Sequence, residues 1–174
     1  MKPKVKIHKR RRRRKKVYTG RETRWDFMQH WTVIRKWAVL NYELKSTADL
    51  EILMHLYSRQ LFTLPECYEW AKFMSWDRHR FNRLLAEGWI HVWRTRSLGE
   101  SAMYELTHKA KKMITSVYKK MTGLEPIPES SRRNKAFKKN APFAQKTLAN
   151  AIRSFNQEHK QHLSLVLDKD EFPQ

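Results

Sequence analysis

Residues 73–106 constrain the fold more than any other stretch of this chain. They read as a short helix dense in Arg and His, a Gly stop, then two strands joined by a polar tip. From Trp76 to Gly88, the residues Phe81, Leu84, Leu85 and Gly88 recur at i, i+3, i+4 and i+7, the spacing of one inward helix face. That leaves Arg78, His79, Asn82 and Arg83 pointing away, with Trp76 and Arg80 flanking them. Base edges are read by such residues: Arg meets guanine, and Asn meets adenine, through two hydrogen bonds each. The plainer reading is a solvated basic face. Solvated faces usually carry Lys and Glu, and this one holds no Lys.

Gly88 supplies the helix stop. Beyond it Ile90, Val92 and Arg94 alternate with Trp89, His91 and Trp93 as in a strand, Ser97–Glu100 makes the turn, and Ala102–Leu106 returns. Arg94 and Arg96 stand just before the tip, where a projecting hairpin would touch phosphates or a minor groove.

The rest of the chain supplies support and charge. The 37 Lys and Arg outnumber 17 Asp and Glu, a formal net charge of +20. Residues 1–24 hold 13 basic and 1 acidic residue, whereas residues 25–125 hold 15 and 11. An excess of this size implies a polyanionic partner bound in a salt-dependent way. The first 24 residues carry Arg10, Arg11, Arg12, Arg13, Arg14, Lys15 and Lys16 in one run, so they are expected to be a disordered arm. Its functional reading is contact with phosphates or a minor groove; its plainer one is a localisation or solubility tail.

Trp25–Leu44 is a strong helix with Asp26 at its cap, apolar on more than one side. Ser46–Ser58 starts on a capping box in which Asp49 replaces the commoner Glu or Gln. Leu61–Leu64 fits one bridging strand, and Pro65 opens a third helix to Phe73. Thr107–Met121 is an amphipathic helix with five Lys on its outer side. A polar, basic linker follows through Asn140, and Pro142 opens a last amphipathic helix. Its stripe of Leu148, Ile152, Phe155, His159, His162 and Val166 must be covered by its own domain or by a second copy. Most of the seven Trp are expected to anchor the core.

The order helix, helix, helix, outward-charged helix, two-stranded hairpin, helix resembles the MarR-type winged-helix family over 25–123. Leu50–Leu56 looks like that family's second helix, and Asp77–Ile90 is similar to its recognition helix and Gly exit. Glu105–Ala110 looks like its step into the next helix, with Ala110 where Gly is usual. The resemblance implies a double-stranded DNA-binding homodimer, commonly a transcriptional regulator, dimerising through its terminal helices. It assigns Arg78, His79, Asn82 and Arg83 to the major groove and Arg94 and Arg96 to the wing. The tip departs from the family, since Ser97–Ser101 lacks an Arg.

The expected architecture is therefore mainly α with a small β-wing, a winged helix-turn-helix. It divides into a basic arm (1–24), the winged-helix domain (25–123), a basic linker (124–141), an amphipathic C-terminal helix (142–167) and a tail (168–174). No enzyme, cofactor or metal site is expected: the four Gly do not cluster into a phosphate loop, and His159 and His162 lack partner ligands. Cys67 stands alone and reads as a small buried hydrophobe in a reducing compartment. With no apolar run long enough to span a membrane and no apolar leader behind the basic N-terminus, the chain is expected to be cytoplasmic and nucleic-acid associated, in a nucleoid or viral particle. An architectural component that binds nucleic acid non-specifically through the same fold is the competing reading.

Overall fold

The computed structural model describes residues 26–171, with 164–171 described by backbone alone. The arm, Trp25 and residues 172–174 lie outside the described residues. Helices α1 (Phe27–Tyr42), α2 (Thr47–Tyr57) and α3 (Leu64–Trp70) come first, with a two-residue strand β1 (Phe62–Thr63) between α2 and α3. Then follow α4 (Arg78–Ala86), β2 (Ile90–Arg94), β3 (Met103–Leu106), α5 (His108–Met121), a 3-10 turn at Lys135–Phe137, and α6 (Phe143–Glu171). The described chain is mainly helical, with one small antiparallel sheet ordered β1-β3-β2.

Local chemistry sets the helix boundaries. The Asp26 carboxylate accepts from the Met28 and Gln29 amides and starts α1. Ser46 and Asp49 close the capping box of α2 from both sides, at 3.2 and 3.1 Å. Asp77 caps α4 through the Arg80 amide at 2.7 Å, so the helix starts at Arg78. At the other end Gly88 takes φ +72°. The Trp89 amide then bonds the Leu84 carbonyl and the Gly88 amide that of Leu85, while buried Leu84 and Trp89 supply the apolar contact of this stop.

One core runs through the described residues. Ile34, Trp37, Leu50, Leu53, Leu56, Phe62, Phe81, Leu84, Trp89 and Ile114 are fully or almost fully buried in it. The C-terminal part belongs to the same core. Leu148, Ile152 and Phe155 of α6 and Ile127 and Ala136 of the segment before it pack in that cluster. The stripe of α6 from Leu148 to His159 is thus covered by its own chain, against α1 and the 3-10 turn.

The stretch 124–141 also departs from a solvated linker, because buried side-chain amides satisfy its backbone. Asn156 accepts from the Ile127 amide and donates to the Ile127 carbonyl and the Glu129 carboxylate, at 2.9, 2.8 and 2.7 Å. Asn134, buried, donates to the Pro128 carbonyl and accepts from the Ala136 amide. Backbone carrying these bonds can be buried at little cost.

Candidate nucleic-acid interface

The face of α4 is built by elements that sink its opposite side. Phe81 and Leu84 enter the core, Leu85 is half-buried, and Phe81 meets the Tyr104 ring edge-on at 4.9 Å. Arg78, His79 and Asn82 are exposed on the other side, and no side-chain hydrogen bond or ion pair engages them among the described residues. Three of the expected face residues therefore stand where helical spacing put them.

The other three do not. Trp76 is 6% exposed, packed edge-on to Trp70 at 6.2 Å and tilted against Phe81 at 5.6 Å. An indole wedged among aromatic rings anchors the core and cannot reach a ligand. Arg80 and Arg83 are drawn back to Asp49, whose carboxylate is 1% exposed near the start of α2. Arg83 Nη2 donates to Asp49 Oδ1 at 2.5 Å. Arg80 Nε lies 3.3 Å from the same oxygen, an ion pair without a hydrogen bond. Arg80 also donates to the Ser75 carbonyl through Nη1, and Arg83 Nε lies 3.7 Å from Glu87. A buried carboxylate without such partners would be strongly destabilising. These two Arg neutralise it, and in doing so leave the outward face.

The β2–β3 hairpin projects from the core. Ile90 is buried, and exposure rises along β2 to Val92, Trp93 and Arg94. Glu100 bonds back to the Ser97 carbonyl at the tip, and Gly99 at φ +81° provides the left-handed residue of the turn. Arg94 Nη1 holds Glu100 at 2.9 Å across the turn, whereas Arg96 is exposed and has no ion pair or side-chain hydrogen bond among the described residues. The register slips within β2. Val92 opposes Tyr104 and Arg94 opposes Met103, so Trp93 is the extra residue of a bulge. Trp93 is 54% exposed, unlike Trp37, Trp70, Trp76 and Trp89, which are all buried. The candidate residues expected from the sequence do not include it. Its signal there was weak: it sits four residues before the turn at Ser97, between Val92 and Arg94.

Arg10, Arg11, Arg12, Arg13, Arg14, Lys15 and Lys16 lie outside the described residues. Elsewhere the side chains point to structure. Cys67 is fully buried, and burial pushes its thiol up to about 12, which holds it protonated and unreactive. His159 is buried with Nε2 2.8 Å from the Gly123 carbonyl. Among the described residues no three His, Cys, Asp or Glu side chains gather in a metal-binding group, and no helix is long and apolar enough to cross a membrane. Comparison with family models, curated proteins and solved structures finds no match to this chain.

Proposed function

We propose that this chain binds double-stranded DNA as a winged-helix protein, with α4 in the major groove and the β2–β3 hairpin against the flanking backbone. One observation carries the reading. Arg78, His79 and Asn82 stand exposed and uncommitted on a capped helix whose far side is anchored by Phe81 and Leu84. The helix can therefore enter a groove without giving up any core contact. The Arg and Asn there are suited to guanine and adenine edges. The exposed Arg96 and the charge of +20 fit a phosphate-rich partner.

Sequence-selective regulation is the fuller form of this reading. A second form, non-specific packaging, is favoured by a specific observation. With Arg80 and Arg83 bound to Asp49, the outward face keeps one Arg, while residues 1–24 carry 13 basic residues. A homodimer through the terminal helices belongs to the first form. α1, α5 and α6 bury apolar faces within one chain, so a partner copy would meet what they leave out, such as Met28 and Phe143.

Competition binding separates the forms. Labelled genomic fragments are challenged with random duplex at ~150–200 mM salt, where non-specific electrostatics are weak. Retention of particular fragments is the expected result for a regulator, and uniform loss overturns that form. The double variant Arg78→Ala/Asn82→Ala is expected to cost ~1–3 kcal/mol per residue on a retained fragment. An unchanged fragment preference would remove α4 as the reader.

A further inference from the structure

A second surface carries chemistry that α4 does not use. A cleft of about 390 Å³ opens between the end of α2, the hairpin and α5, lined by Tyr57, Arg59, Gln60, Trp93, Glu105 and Lys111 among others. Trp93 contributes an exposed indole because the bulge places it out of the ladder. Tyr57, 40% exposed, contributes a phenol held in place by its hydroxyl 3.2 Å from Thr115 Oγ1. The Tyr118 ring lies 6.0 Å from that of Tyr57.

Cations accompany the rings. Lys111 Nζ is 3.0 Å from Glu105, and His91 Nε2 is 3.1 Å from the other oxygen of the same carboxylate. Glu105, the only acidic residue lining the cleft among the described residues, is thus already paired with the Lys111 ammonium. Arg59 stacks over the Trp70 ring at 5.1 Å and keeps its donors for other groups. Lys111 also lines a second cleft of about 550 Å³, which runs along α5 past Lys112, Thr115 and Lys119. Lys119 is bound to Glu125 at 2.5 Å, and an ammonium has two further protons to donate. An aromatic end therefore leads into a basic track.

Exposed rings beside a cationic groove match one ligand class. Single-stranded nucleic acid offers π-faces free to stack and a phosphate chain to follow, whereas an intact duplex keeps its bases stacked and hidden. We propose that the Tyr57–Trp93 cleft takes an unstacked base of single-stranded nucleic acid while Lys111, Lys112 and Lys119 track its phosphates. This site is distinct from the face of α4 and takes a different form of nucleic acid, so the two readings fail separately.

The test uses the full chain at ~200 mM salt, which weakens non-specific electrostatic binding. Fluorescence anisotropy is read on a labelled oligothymidylate of about twenty nucleotides and on a random duplex of about twenty base pairs. Trp93→Ala and Tyr57→Ala should each weaken binding to the single strand about tenfold, with duplex affinity changed less than about twofold. Trp93→Phe should restore most of the loss, since a phenyl ring still stacks. Lys111→Gln leaves both rings in place and should lower the salt slope on the single strand by about one counterion. Arg78→Ala should show the opposite pattern, losing duplex and sparing the strand. Thermal melting verifies that each variant is folded. Unchanged single-strand affinity in Trp93→Ala and Tyr57→Ala overturns the proposal and leaves the rings to a protein partner. Equal losses on strand and duplex overturn it too.

Discussion

The four basic residues Arg78, His79, Arg80 and Arg83 share one short helix and meet two different fates. Arg78 and His79 face solvent with no partner among the described residues, while Arg80 and Arg83 converge on a carboxylate contributed 34 residues before Arg83. Nothing on the helix itself separates the two groups. What separates them is Asp49, placed beneath α4 by the packing of α2 and unable to stay buried without positive partners. One side of α4 therefore contributes to stability and the other remains available for binding.

Removing Asp49 should break that division most forcefully. Asp49→Ala strands two partly buried guanidinium groups and also opens the capping box of α2. Losing one partner of a buried pair costs ~3–5 kcal/mol, and losing a cap adds about 1. Chemical denaturation should show a loss in this range, against less than about 0.5 kcal/mol for Arg78→Ala at an exposed site. Comparable losses in the two variants would abolish the distinction between the two sides. Arg83→Met offers a finer reading. If Arg83 acts through Asp49 alone, the double variant Asp49→Ala/Arg83→Met should lose less than the sum of the single changes.

The same contrast shows which parts of the molecule were legible in the sequence. Helix and strand order, the caps at Asp26 and Ser46, and the Gly88 stop all follow from residues close to one another in the chain. The inward face of α4 was legible for the same reason. The fates of Arg80, Arg83 and Trp76 were not, because they depend on Asp49 and Trp70 arriving from other helices. The segment 124–141 read as linker because its composition is polar and basic. It is held by Asn156, 29 residues from Ile127, and local composition carries no trace of that pairing. Trp93 escaped notice through a register slip, which strand alternation does not reveal.

The seam of α1 and α6 differs from the Asp49 latch, because burial there works against charge on imidazoles that have partners. Burial lowers His30 and His159 below their ordinary value of 6.5, outweighing Glu158 3.5 Å from His30 and the Gly123 carbonyl at His159. Burial and the nearby Arg59 lower His55 likewise. The folded protein thus binds fewer protons than the unfolded chain in the window from 6.5 down to the lowered values. Stability is complete above 6.5 and falls as pH drops through that window, by up to about 1.4 kcal/mol per pH unit for each such histidine. Melting temperatures recorded from about pH 7.5 to pH 5 should decline accordingly, and His159→Gln should decline less steeply. A profile equally steep in His159→Gln would place the acid sensitivity at groups other than His159.

The smallest effect belongs to the hairpin, and it tests whether pairing governs availability there as on α4. Arg94 is bound to Glu100 at 2.9 Å, yet both side chains are about half exposed, so water competes for each charge. Unlike Asp49, Glu100 needs no partner. Glu100→Gln should therefore change stability by no more than about 0.5 kcal/mol. It should also release Arg94 next to the exposed Arg96, giving the tip the second free guanidinium that Ser97–Ser101 does not supply. Duplex affinity at low salt should then rise severalfold and the salt dependence should steepen, by up to about one further phosphate contact. If affinity stays level, Arg94 does not reach the backbone even when released, and the hairpin contact falls to Arg96 alone. If stability drops by more than about 1 kcal/mol, the pair is structural like the one beneath α4, and exposure does not decide an Arg's role.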